Sequence, residues 1–177
     1  MTLENGTIIE SEVVLAAMGR PPNLDDLKLV NAGVEIENGA VKIDDYCNTT
    51  APGIYAIGDC VNKINLTPVA IRQGRILSER LFNNKPDLHM KYDNIPTVIF
   101  SHPPIGTVGH TQEDAENLFG KENVTVHKST FINMFYSPAP SQDLKHKTMF
   151  KMICRKIEGA EKVIGLHIIG RGVDEML

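Results

Sequence analysis

The chain has 177 residues, of which 42% are hydrophobic and 23% charged, with a net charge of −4. That length holds one large domain or two small ones with a sizeable core, and the mildly acidic balance excludes a nucleic-acid footprint. No apolar run approaches the ~20 residues of a membrane span, and no charged-then-apolar signal segment opens the chain, so neither membrane nor export is expected.

In chain order, Asn5-Gly6 between Thr2-Leu3-Glu4 and Thr7-Ile8-Ile9 reads as a tight hairpin. Glu12 to Met18 reads as an apolar strand, ended by Gly19-Arg20-Pro21-Pro22-Asn23, which continues neither strand nor helix. Leu24 to Asn31 reads as a short helix closed by Gly33. Val34-Glu35-Ile36 and Val41-Lys42-Ile43 alternate around Asn38-Gly39 and predict a second hairpin. Ile54 to Ile57, apolar and flanked by glycines, has the pattern of a buried parallel strand. Pro68 to Phe82 is the clearest helix. Thr67 is its N-cap and Pro68 its first helical residue, with Val69, Ala70, Gln73, Leu77 and Leu81 at helical steps. Gly74 costs roughly 1 kcal/mol against alanine in that interior, so something packs closely on its bare face.

The polar stretch Asn83 to Asp93 and Asn94-Ile95-Pro96 place a domain boundary near residue 94, after which the pattern is α+β. Thr97 to Phe100 is a strand, and Thr107 to Val108 begins another. Thr111-Gln112-Glu113-Asp114 resembles a capping box with aspartate in place of glutamate, opening a helix to Phe119. Val124 to Phe131, Thr148 to Arg155 and Lys162 to Ile169 are strand-like, and Ser137 to His146 is a long polar loop. Both ends read as cut: a hairpin starts the chain with nothing before it, and Gly172 to Leu177 reads as a first helical turn with no last one.

Gly58-Asp59 ends the apolar run, where ligands bind in open α/β sheets. A carboxylate there can hold a sugar-like diol; the alternative is an aspartate that merely caps a turn. Eight residues on, the helix start at Thr67-Pro68 presents free N–H groups and about half a positive charge. That suits the electron-rich edge of a reduced flavin, although an ordinary helix start is equally compatible. Arg72, Arg75 and Arg80 share the helix. Arg75 follows Gly74 and can point to the same cleft, whereas Arg80 reads as paired with Glu79 or solvent. His102, before two prolines, and His167, in an apolar strand, read as structural. His89, His110, His127 and His146 lack metal-ligand spacing, and no metal site is expected. Cys47, Cys60 and Cys154 are odd in number and widely spaced, which points to reduced thiols in a reducing compartment.

Three stretches together carry a resemblance: Gly19-Arg20-Pro21-Pro22-Asn23, Gly53-Ile54-Tyr55-Ala56-Ile57-Gly58-Asp59, and Leu66-Thr67-Pro68-Val69-Ala70-Ile71 with Gly74-Arg75. The chain resembles the class I pyridine nucleotide-disulfide oxidoreductases over essentially its whole length. The segment from Asn94 to Gly109, with Ser101-His102-Pro103-Pro104-Ile105-Gly106 at its centre, is similar to the glutathione-reductase branch rather than the thioredoxin-reductase branch. The resemblance implies an α/β plus α+β chain. Residues 1–21 would end an NADPH-binding domain, 22–93 would be the returning half of a Rossmann-like FAD-binding domain, and 94–177 an incomplete dimerisation domain. It implies FAD contacts at Asp59, Leu66 and Thr67, NADPH contacts at Arg20, Asn65 and Val98, and glutathione contacts at Arg75 and Met134. It further implies a homodimer, a cytoplasmic or mitochondrial setting, and NADPH-dependent reduction of glutathione disulfide.

The family's glycine fingerprints, its pair of cysteines separated by four residues and its C-terminal His-Pro-Thr are not among these residues. No catalytic residue of the family is therefore expected here, and the isolated chain is expected to be inactive. The alternatives are a non-catalytic interaction module and a thioredoxin-reductase-like enzyme.

Overall fold

Turns, more than strand pairing, shape the first part of the chain. The computed structural model describes residues 1–142 and 145–177, which divide into two compact units, Met1–Met90 and Lys91–Leu177. Asn5-Gly6 does turn the chain: Leu3 N–H donates to Thr7 O and Ile9 N–H to Met1 O, both at 2.9 Å. Only a single bridge, Thr2 with Ile8, joins the two arms. The expected strand over Glu12–Met18 does not form. Val13, Leu15 and Met18 are 82%, 88% and 95% exposed. A strand obtains its backbone bonds from a neighbour, and among the described residues none pairs with this run.

The helix expected over 24–31 is instead two 3-10 turns, Asp25–Leu27 and Leu29–Ala32. Lys28, left-handed at φ 49°, separates them, and Gly33 closes the second by donating to Leu29 O and Val30 O. The second hairpin forms as read: β1 (Ile36–Glu37) runs antiparallel to β2 (Ala40–Val41). Asn38 and Gly39 turn between them at φ 52° and 76°, the positive values a two-residue hairpin demands. Leu24, Val34, Val41, Ala51 and Val61 form the core of this unit.

Ile54–Ile57 is not the buried parallel strand expected. It makes one antiparallel bridge, Tyr55 with Asn48, and Ile54 and Tyr55 remain exposed. The preceding loop captures it: Thr49 N–H and its hydroxyl both donate to Ile54 O, at 3.0 and 2.8 Å, and Ala56 N–H donates to Cys47 O at 3.2 Å.

The strongest helical pattern gives the helix α1 (Thr67–Phe82). It starts one residue earlier than read: Leu66 is the N-cap and Thr67 already helical, so the Thr67 hydroxyl caps nothing. Val69, Gln73 and Ile76 are its buried face. A Cβ on Gly74 would lie 3.4 Å from Ile57 Cδ1, an ordinary van der Waals distance, so Ile57 packs on this face without requiring a glycine there.

Arg80 corrects a further expectation. It is neither solvated nor paired with Glu79; its guanidinium donates to Tyr46 O and Asn48 Oδ1, both at 2.8 Å. It also lies 5.6 Å from the ring centroids of Tyr46 and Tyr55. Asp44 anchors the same loop. Burial would raise its carboxyl, but bonds from Asn48 and Tyr46 outweigh that and hold it below the usual carboxylate range. Arg80→Met keeps the aliphatic stem but strands two acceptors, and should cost about 2 kcal/mol. Urea unfolding followed by tyrosine fluorescence reads this directly; a loss under about 0.5 kcal/mol would show the contacts to be incidental.

The second unit is one antiparallel sheet. Its strands are β3 (Thr97–Ile99), β4 (Ile105–Gly109), β5 (Val124–Ile132), β6 (Lys147–Ile157) and β7 (Ala160–Ile169). They are ordered β3-β4-β7-β6-β5. The helix α2 (Gln112–Phe119) opens on Thr111, whose hydroxyl oxygen accepts from Asp114 N–H at 3.1 Å and whose O–H donates to Asp114 Oδ2 at 2.6 Å. The aspartate variant of the capping box therefore works by gripping the cap hydroxyl. Ile153 and Ala115, both fully buried, and Ile168 and Val173 fill the interior. Of the loop read over Ser137–His146, residues 143 and 144 lie outside the described residues. The last residues form a 3-10 turn, Val173–Glu175.

Candidate functional site

Ile57 arrives extended, and the chain then folds into a 3-10 turn, Gly58–Val61. Gly58 sits at φ +73°, where a side chain is strained, and a Cβ there would lie 3.3 Å from Ala70 Cβ on α1. Its N–H donates to Gln73 Oε1 at 2.8 Å, and Gln73 is only 1% exposed. The turn is thus stitched to the first two turns of α1 by one buried amide and one glycine contact. Cys60 Sγ donates to Ile57 O at 3.1 Å, and Asn62, left-handed at φ 48°, ends the turn. The consequence is an exposed Asp59 carboxylate beside a helix start that no side chain caps. A carboxylate beside free amides can receive a ligand with both hydroxyl donors and an electron-rich edge.

The other sequence-read residues distribute as follows. Leu66, half-buried, donates its N–H to Ile64 O at 3.0 Å, and Thr67 is exposed at the first helical position. The Asn65 amide donates to Asn62 Oδ1 at 2.9 Å, so Asn65 serves the turn itself. Arg20 is exposed in irregular chain. Arg75 is exposed in an open groove lined by Ile71, Arg72, Gly74 and Ser78. Val98 and Met134 belong to the second unit: Val98 lies on the edge strand β3, and Met134 opens the 3-10 turn after β5, a turn that the Asn133 amide ties to Arg171 O at 3.2 Å.

The roles of Gln73 and Thr107 are not marked in sequence. Gln73 reads there only as one polar residue on a helical stripe, and nothing local marks it as the clamp on Gly58. Thr107 and His167, paired across β4 and β7, bond at 2.5 Å between Oγ1 and Nδ1, while His167 Nε2 meets His110 O at 3.0 Å. His167 is therefore a sheet fastener, the structural role expected of it. His102 is exposed in a turn whose 102–103 peptide bond is cis. Cys47 is buried, and that burial pushes its thiol up from the ordinary range. His127, which lacks metal spacing in sequence, is brought by strand pairing to Cys154 and Glu161, with one ligand atom from each within 4.8 Å of the others.

An open turn–helix unit and an antiparallel sheet in one chain have a parallel among flavoproteins. The solved Cu(II) complex of an HOCl-induced flavoprotein disulfide reductase, RclA from Escherichia coli, aligns with 90% of this chain and 35% of its own, with a TM-score of 0.74 at 24% identity. At that identity the likeness concerns the fold. The pyridine nucleotide-disulphide oxidoreductase family matches residues 1–74, and the dimerisation domain of the same family matches residues 95–177. The chain belongs to this family. Within it the chain is similar to two glutathione reductases. That of Schizosaccharomyces pombe is 37% identical over 175 residues, covering 98% of this chain and 37% of the relative. That of Debaryomyces hansenii is 37% identical over 181 residues, covering all of this chain and 36% of the relative. The chain spans about a third of the length of the relatives it matches.

Proposed function

We propose that this chain carries the flavin-facing turn–helix segment and the subunit-pairing sheet of an NADPH-dependent glutathione-disulfide reductase acting as a homodimer in the cytosol or mitochondrion. The observation that carries the proposal is the Gly58–Asp59 turn clamped to α1 by Gln73. The residues fit a flavin. Gly58 leaves room where a Cβ would crowd Ala70, Asp59 offers an exposed carboxylate for ribityl hydroxyls, and the uncapped start of α1 offers the Thr67 N–H for the ring edge, with Leu66 beside it. A bound flavin would supply the two-electron relay between nicotinamide and disulfide. This chain's residues bind and orient. Arg20, Asn65 and Val98 are assigned to the nicotinamide dinucleotide, Arg75 to a carboxylate of glutathione disulfide, and Met134 to the glutathione site of the partner subunit.

No two cysteines of this sequence are separated by four residues, so the pure chain should oxidise no NADPH with glutathione disulfide. Joined in frame to the part of the S. pombe glutathione reductase that it does not match, it should give a yellow dimer that reduces glutathione disulfide with NADPH. Turnover by the chain alone, or a flavin-loaded hybrid that reduces oxidised thioredoxin but not glutathione disulfide, would overturn the proposal.

A further inference from the structure

We propose that His127, Cys154 and Glu161 form a binding site for a thiophilic divalent cation of the zinc class on the five-stranded sheet.

The three residues sit on three successive strands. Cys154 of β6 pairs with Thr125 of β5 on one side and Val163 of β7 on the other. His127 is two residues from Thr125 and Glu161 two from Val163, so all three side chains leave the same face of the sheet. The register shifts between Ile153 and Cys154, an irregularity of the kind that re-aims a side chain. Imidazole nitrogen, thiol sulfur and carboxylate oxygen come within 4.8 Å of one another, and that mixed donor set is characteristic of zinc.

The geometry needs little adjustment. Zinc bond lengths at a tetrahedral angle put neighbouring donor atoms roughly 3.3–3.6 Å apart. His127 Nε2 and Glu161 Oε2 are now 2.6 Å apart in a hydrogen bond, so they must open by under about 1 Å, and Cys154 Sγ must close by about as much. His127 and Glu161 are exposed and free to make that change. Three protein ligands leave a fourth position for water, the arrangement of an open zinc site.

A simple surface ion pair accounts for His127 with Glu161 but leaves over a buried thiol within reach of both. The Thr125 hydroxyl, on the residue paired with Cys154, interacts with the Glu161 carboxylate, the kind of outer partner that ligand groups around metal sites have. The nearby positive charge is Lys156, whose ammonium is held by Glu122 O at 3.1 Å. Without an ion, burial and then the Glu161 charge hold the Cys154 thiol above its ordinary range. The cation supplies the opposing charge, and the thiol proton passes to solvent as the sulfur–metal bond forms.

Cobalt(II) is the probe, titrated anaerobically into the full 177-residue chain. The expected result is one equivalent bound with a thiolate-to-cobalt charge-transfer band that zinc bleaches. Cys154→Ser should abolish the band, while Cys47→Ser and Cys60→Ser keep it. His127→Ala and Glu161→Gln, both at exposed positions whose folding circular dichroism can verify, should each weaken binding roughly tenfold or more. No band, a band that survives Cys154→Ser, or unchanged affinity in both His127→Ala and Glu161→Gln would overturn the site.

Discussion

Replacing Gly165 with alanine should cost the second unit about 3 kcal/mol, the upper end for overpacking a well-packed interior. Gly165 of β7 faces Gly109 of β4, and the two backbones touch where β4 hands over to α2. A Cβ on Gly165 would strike the carbonyl oxygen of His110, and one on Gly109 would strike the carbonyl oxygen of Ile164. Backbone atoms cannot rotate away as a side chain does. The same approach lets His110 N–H donate to Ile164 O at 2.9 Å, so the substitution also threatens the bond that seats α2. Urea unfolding by far-UV circular dichroism measures the loss, and hydrogen exchange at β4 and β7 assigns it to this crossing. Gly109→Ala should be comparable, because Gly109 adds a left-handed φ of 75°. A cost below about 0.5 kcal/mol at Gly165 would mean that the strands part freely there.

The second large effect is expected at Gln73. Its side chain is the partner of the Gly58 N–H, and Gln73→Leu preserves approximate size while leaving that buried donor unsatisfied. The cost should be about 2 kcal/mol, with faster hydrogen exchange at Gly58 and in the 58–61 turn but not in β5 or β6. A purely structural glutamine would stop there. If the turn positions Asp59 for flavin, the same change in the S. pombe hybrid should also weaken flavin retention without altering the charge of the site. Unchanged exchange at Gly58 would show that the clamp is not what holds the turn.

What sequence reveals here is what a few adjacent residues decide. Asn38-Gly39 turns a hairpin because both residues accept positive φ, and Thr111 starts a helix because its hydroxyl reaches an amide three residues on. For the same reason the helix after the Gly58-Asp59 motif forms while the strand expected before it does not: the helical pattern is local, but Ile54 is bound by Thr49 and the loop before it. Glu12–Met18 has strand composition without a strand beside it. Lys28 breaks a helical pattern by adopting a left-handed conformation that no local signal announces. Gln73 and Arg80 were missed as fasteners because their partners lie 15 and more than 30 residues away. His127, Cys154 and Glu161 meet only through the register of three strands, which spacing in sequence cannot show.

The central claim is that Asp59, held beside the start of α1, receives the flavin. Its most direct test is the flavin-to-protein ratio of the S. pombe hybrid after gel filtration, with and without Asp59→Ala. Asp59 is exposed, so its loss should leave folding intact while the ratio falls well below one and glutathione-disulfide reduction falls with it, both recovering in excess FAD. A variant that keeps one flavin per chain and full activity would contradict the account.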